Sequence, residues 1–255
     1  MKLYSFKCGG DYADRALQDP LDADVGTKLY EPWTAYVVDH PQGPVLFDTG
    51  IPPEILTDPM GVLGPWGDMF DLQMDENDTI AALLATIGLE PAAIPKVVMS
   101  HLHHDHAAAL PLFRHAEIYV QERELAFARN PPVYQANAYM PDQFEGDYRW
   151  QPLSGEHDLF GDGRIVLFPT PGHTAGHQSV RVTLDRDTVI VMFDATYSID
   201  KMRERLLPGI LWSPDDLVAS WEKIEALEKE HSAILLATHD PNVERVRWAP
   251  GEWYE

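Results

Sequence analysis

The stretch Lys96-Val97-Val98-Met99-Ser100-His101-Leu102-His103-His104-Asp105-His106 decides how this chain is read. Its first five residues read as a buried strand, and Asp105 to Leu110 begins a small-residue helical stretch, so the histidines fall on a strand-to-helix turn. On such a turn the side chains of residues i and i+2 converge on one point, while those at i+4 and i+5 swing toward a second. Imidazole and carboxylate are the ligands that a borderline divalent ion such as zinc prefers, and a donor set without thiolate leaves room for a reactive water. The ordinary alternative for a histidine-rich hexamer is a surface cluster or a satisfied polar turn.

Three later apolar runs weigh against that alternative, because each ends in a metal-competent side chain. Ile165-Val166-Leu167-Phe168-Pro169-Thr170-Pro171-Gly172 leads to His173, Val189-Ile190-Val191-Met192-Phe193 leads to Asp194, and Ala233-Ile234-Leu235-Leu236-Ala237-Thr238 leads to His239. Taken singly, each of the three is more often a satisfied loop residue than a ligand. A strand, a turn and then a ligand, repeated along the chain, is how an α/β scaffold builds a site from loops at one edge of its sheets. With the hexamer, these residues supply enough donors for two ions sharing one carboxylate.

At this point the chain resembles the metallo-β-lactamase superfamily, with His101, His103, Asp105 and His106 matching its HxHxDH signature. Phe47-Asp48-Thr49-Gly50 is similar to that superfamily's early Asp-Thr-Gly strand end, and His173, Asp194 and His239 fall in the order of its third His, bridging Asp and last His. The segments Pro171-Gly172-His173-Thr174-Ala175-Gly176-His177-Gln178-Ser179 and Asp194-Ala195-Thr196-Tyr197 narrow the resemblance to the N-acyl homoserine lactonase branch. His104 departs from it, standing where such lactonases often carry an apolar or aromatic residue.

The resemblance implies an αββα sandwich and a metal-dependent hydrolase that opens the lactone ring of N-acyl homoserine lactones by attack of a metal-bridging hydroxide. It assigns His101, His103 and His173 to one divalent ion and Asp105, His106 and His239 to the other, with Asp194 bridging and Asp48 orienting a ligating histidine. Zinc leads, and iron, cobalt and manganese accept the same mixed set. Tyr197 would stabilise the developing oxyanion, and Asp105 would pass a proton to the leaving alkoxide. His177 reads as a packing or supporting histidine, and His104, His115, His157, His40 and His231 as structural or surface residues. Thioester hydrolysis of the glyoxalase-II kind and organophosphate or other ester hydrolysis are the competing readings, since two ions and a bridging hydroxide serve all of them.

Composition agrees with an ordinary globular enzyme. The chain of 255 residues, 45% of them hydrophobic, is long enough for a substantial core and reads as a single domain, residues 1–255. A formal net charge of -22 argues against a nucleic-acid partner, because phosphate binding needs clustered Lys and Arg. Cys8 is the only cysteine, which excludes an intramolecular disulfide and a thiolate metal site. No membrane span or signal-peptide core is legible, so the expectation is a cytoplasmic monomer or homodimer acting on a small lactone.

Outside these motifs the sequence predicts a first strand at Met1–Phe6, a long loop from about Gly9 to Pro32, and a hairpin of Thr34–Val38 with Val45–Phe47. Helices are predicted from Asp78 to Ile87, from Gln121 to Arg129 and over Leu217–Glu230, with an irregular aromatic stretch from Pro131 to Trp150. The loop around Met60–Phe70 and the N-terminal loop near Leu17 and Leu21 are the candidate walls of an acyl groove.

Overall fold

Period-two alternation sets the layers of this molecule. Tyr36 and Val38 enter one buried cluster while Ala35 and Val37 enter another, and Val45 and Phe47 are separated from Leu46 in the same way. The computed structural model, which describes residues 1–255, accordingly contains two sheets packed face to face.

The first sheet is built from β1 (Lys2–Asp14), β2 (Lys28–Asp39), β3 (Val45–Phe47), β4 (Asp71–Leu72), β5 (Lys96–Val98), β6 (Glu117–Gln121) and β7 (Arg149–Leu153). Its order is β4-β1-β2-β3-β5-β6-β7, antiparallel as far as β3 and parallel from β3 to β7. The second contains β8 (His157–Asp158), β9 (Ile165–Pro169), β10 (Gln178–Thr183), β11 (Thr188–Phe193) and β12 (Ile234–Ala237), in the order β12-β11-β10-β9-β8. Only the β11–β12 pair in it is parallel. Leu3, Tyr36, Phe47 and Val98 from the first sheet meet Leu167, Val180, Val191 and Phe193 from the second in the layer between them.

Helices cover both outer faces, which gives the αββα sandwich that the resemblance implies. On the first sheet these are α1 (Pro59–Leu63), α2 (Trp66–Met69), α3 (Ile80–Thr86), α4 (His104–Ala107), α5 (Glu122–Arg129) and α6 (Pro141–Phe144). On the second lie α7 (Ile199–Arg203) and α8 (Pro214–His231), whose Leu217, Trp221 and Ile224 pack on Ile190, Met192 and Leu235. Ser213 caps α8 by accepting from the Asp216 N–H at 3.3 Å, and Ser232 ends it in the left-handed region at φ 51°. No helix is long and apolar enough to cross a membrane.

The expected loop from Gly9 to Pro32 is strand at both of its ends. β1 continues to Asp14 and β2 begins at Lys28, pairing Asp11 with Glu31 and Asp14 with Lys28. A register shift between Lys7 and Gly10, with Gly9 at φ 77°, bends the hairpin there. Gly9 and Gly10 read as a loop in sequence because they mark this bend, and Asp11 and Glu31 because they line the site cavity instead of an apolar core. The helix expected from Asp78 begins at Ile80, because Asp75 and Asp78 form a capping box around a separate 3-10 turn. Within the stretch taken as irregular lie α6 and the start of β7.

Candidate metal centre

Five chain segments deliver the site at one edge of the sandwich. β3 runs out at Asp48, β5 at Ser100 and His101 with His103 just before α4, and β9, β11 and β12 lead to His173, Asp194 and His239. Gly172 holds φ 143°, and a Cβ there would collide with the backbone of Leu217, so only glycine brings His173 past α8. Phe193 sits at φ 51° beside a register shift between β11 and β12, a strained turn that aims Asp194 inward.

The donors converge in two groups: His101, His103 and His173, then Asp105, His106, Asp194 and His239, the ligand atoms within each lying within 4.8 Å of one another. Asp194 reaches both. Its Oδ2 lies 3.5 Å from His173 Nε2, 4.0 Å from His101 Nε2 and 3.3 Å from His239 Nε2, and its Oδ1 lies 3.2 Å from His106 Nε2. Asp105 Oδ2 stands 3.3 Å from His239 Nε2 and 3.5 Å from His106 Nε2. Two ligands on one tetrahedral ion with bonds of about 2.0–2.1 Å stand about 3.3 Å apart, so these separations suit shared coordination.

The outer nitrogens are fixed by long-range contacts. His106 Nδ1 donates to Asp48 Oδ2 at 2.7 Å, and His101 Nδ1 donates to Ser100 Oγ at 2.9 Å, which itself donates to Asp48 Oδ2 at 2.7 Å. One buried carboxylate thus orients a histidine in each group. His173 Nδ1 donates to the Ile210 carbonyl at 3.1 Å, and His239 Nδ1 to the Pro32 carbonyl at 3.0 Å. These bonds would leave the inward Nε2 atoms as the lone pairs offered to an ion. The Nε2 atoms of His101 and His106 and Asp194 Oδ1 are buried without a partner, and His103 turns its Nδ1 to the group, 3.0 Å from His173 Nε2. Buried orphan acceptors on three converging side chains fit a divalent metal, whose charge would satisfy them.

Electrostatics support the same division. Burial, with neighbouring imidazoles, holds His101 and His103 well below the ordinary histidine range, and burial lowers His173 too, so these rings are neutral. Burial would also discharge His106 and His239, but Asp194 and Asp105 outweigh it and raise both well above that range. An ion at this group replaces protons that the carboxylates otherwise hold on the two rings.

Around the donors the cavity is lined by Leu17, Trp33, Trp66, Phe70, Ala138 and Ile210, together with Asp11, Glu31, His104 and Tyr197. Of the segments expected to wall an acyl groove, Met60–Phe70 and the loop near Leu17 and Leu21, it is Leu17, Trp66 and Phe70 that line this cavity, while Met60 is 48% exposed outside it. Leu21 does not line it, because its side chain is 89% exposed on the loop beyond the hairpin. Tyr197 packs edge-on to His173 and His239, ring centroids 5.6 and 5.0 Å away, and burial followed by Asp194 raises its hydroxyl pKa well above the usual value. It is a donor at neutral pH. His104 is buried against Trp66 and Phe70 in the cavity wall, and His177 is buried, its Nδ1 facing Thr170 Oγ1 at 2.9 Å.

Sequence reasoning missed Glu124 entirely. It lies on a helix rich in charged residues, yet it is fully buried, accepting from Leu102 N–H, Tyr139 Oη, Thr174 Oγ1 and Gly176 N–H. This one carboxylate ties the His101–His106 turn to the loop that carries His173.

A fold of this kind with histidines and aspartates at the strand ends defines a class of metallohydrolase, and the chain belongs to the metallo-β-lactamase superfamily, whose family model matches residues 32–239. It is 34% identical over 81% of both chains to the N-acyl homoserine lactonase AttM of Azorhizobium caulinodans, and 27% identical over 86% of both chains to the N-acyl homoserine lactonase AiiA of Bacillus thuringiensis. Among solved structures it is similar to an N-acyl homoserine lactone hydrolase with the product N-hexanoyl-L-homoserine bound at the catalytic metal centre. That match has a TM-score of 0.87 at 25% identity and covers 99% of this chain and 98% of the other.

Proposed function

We propose that this chain is a metal-dependent lactonase that hydrolyses N-acyl homoserine lactones, with two divalent ions, zinc foremost, as its cofactors. The observation that carries this reading is the convergence of both donor groups and Tyr197 on one cavity, in a fold shared over nearly the whole chain with a product-bound lactonase. His101, His103 and His173 would hold one ion, Asp105, His106 and His239 the other, and Asp194 both. Bound there, such ions lower the pKa of water toward about 7 and polarise a carbonyl.

The chain's own groups complete the reaction. Tyr197 donates its hydroxyl proton in a hydrogen bond to the lactone oxygen as it gains charge, and the cavity wall excludes bulk water from that bond. Water oxygen bonds to the carbonyl carbon as the ring C–O bond breaks. Asp105, which lines the cavity and is partly exposed, takes the water proton on a carboxylate oxygen and returns it to the leaving alkoxide. Asp48 and Ser100 keep the donor rings from rotating, so the site is pre-formed.

Metal analysis beside a panel of acylated lactones, a glutathione thioester and a phosphotriester tests the reading. About two equivalents of metal and the highest kcat/KM on an acylated lactone are expected. Faster turnover of the thioester or phosphotriester by orders of magnitude would overturn the lactonase assignment.

A further inference from the structure

Two carboxylates in the cavity wall have no role in metal binding. Asp11 on β1 and Glu31 on β2 are directly paired across the strands, so their side chains share one face. They are 1% and 5% exposed, and although the Trp33 indole reaches toward Asp11 and the Gln18 amide toward Glu31, one oxygen of each, Asp11 Oδ2 and Glu31 Oε1, is buried without a partner. Both line the cavity that holds the metal donors. Lys28, at the start of β2, bridges instead to Asp71 at 3.4 Å. No third donor converges with the pair, unlike the two metal groups.

Like charges placed opposite each other and stripped of water destabilise a sheet. Such a pair persists in a cavity wall where something else supplies the missing donor. We propose that Asp11 and Glu31 receive a hydrogen-bond donor carried by the substrate, so that the chain selects lactones whose acyl arm bears a hydroxyl or an amine over alkyl arms of equal length. This rests on the lactonase reading and names the substrate class within it. An alkyl arm against this wall leaves both oxygens dry and unsatisfied, whereas a donor satisfies them and loses little of its own hydration. The rest of the wall, Trp33, Trp66, Phe70 and Ile210, accepts the hydrocarbon part of either arm. Burial raises both carboxylates to about 7, opposed by His239 and reinforced, for Asp11, by Asp105 and, for Glu31, by Asp11. The Trp33 indole near Asp11 and the Gln18 amide near Glu31 ease the charged forms only in part.

The test uses the metal-loaded full chain with N-hexanoyl-homoserine lactone and its hydroxylated and ω-amino counterparts. Wild type should favour a donor-bearing arm in kcat/KM by about tenfold or more, the scale of one buried acceptor left unpaired. Asp11→Leu and Glu31→Leu should abolish or invert that ratio, and Glu31→Gln should keep the hydroxyl preference while losing more of the amine's. Should the leucine variants not fold, competition by the matching ring-opened acyl homoserines against wild type reads the same ratio. Equal or better handling of the alkyl arm by wild type overturns this inference and leaves the lactonase reading standing. Absence of turnover on every lactone overturns both.

Discussion

Asp194 touches both donor groups through its two oxygens, and Asp48 supports one histidine in each, so neither group is independent of the other. Asp194→Asn keeps the shape but replaces half of a shared carboxylate with an amide nitrogen that cannot ligate. Metal content should fall from about two equivalents toward one or none, and lactone turnover should fall with it, read by elemental analysis and acid release on the same sample. Tyr197 is a different case, since nothing in the donor groups bonds to its hydroxyl. Tyr197→Phe should lower kcat by roughly tenfold to a few hundredfold with metal content and melting temperature unchanged, at or below the usual effect of one oxyanion donor. An unaltered kcat would make it a packing residue of the cavity wall.

At the scale of elements, the β1–β2 hairpin and α8 carry opposite kinds of evidence about how the fold is held. The hairpin presents Asp11 and Glu31 to the cavity with folded pKa values of about 7 against ordinary values of 3.8 and 4.5. In chelator-stripped protein the folded state therefore holds protons that the unfolded chain has released between roughly pH 4 and 7. Stability should fall as pH rises through that window, and Glu31→Gln should flatten the fall, measured by denaturant unfolding at several pH values. Bound ions would pull both carboxylates down and weaken the effect. On α8, Trp221 is fully buried and donates its indole N–H to the Ala195 carbonyl beside the site. Trp221→Ala should cost about 3–5 kcal/mol in unfolding free energy, the range for truncating a large buried aromatic.

The whole molecule brings its sheets together at the candidate metal centre as well as through the apolar layer. His101, His103, Asp105 and His106 follow a strand of the first sheet, while His173, Asp194 and His239 follow strands of the second. An ion bound between them cross-links the two halves of the sandwich, and binding to the folded chain alone is folding free energy. Removing metal with a chelator should lower the melting temperature, and the loss should be restored by adding back zinc but not magnesium, which prefers an all-oxygen set. A melting temperature indifferent to chelation, with metal loss verified, would show that the apolar layer alone holds the sheets together.

Much of the centre was legible in the sequence because ligand chemistry demands particular residue types, and four apolar runs each ended in one of them. The hexamer from His101 to His106 and the strand ends at His173, Asp194 and His239 are local signals that survive without knowing what they meet, whereas Asp48 was singled out only by the family resemblance. The supporting contacts have no such signature. His239 is oriented by the carbonyl of Pro32, 207 residues away, and Glu124 bonds four groups gathered from three segments, so a charged helical residue and a plain backbone oxygen look ordinary until the chain closes. The same holds for Asp11 and Glu31, which the sequence places in an acidic loop and the hairpin register places face to face in a dry wall. Residue type and spacing, read with the family resemblance, pointed to the metal chemistry from sequence, because donors must be of a given kind. Which polar groups lost their water, and therefore what the cavity asks of a substrate, only tertiary packing decided, since burial is a property of what the rest of the chain places around a residue.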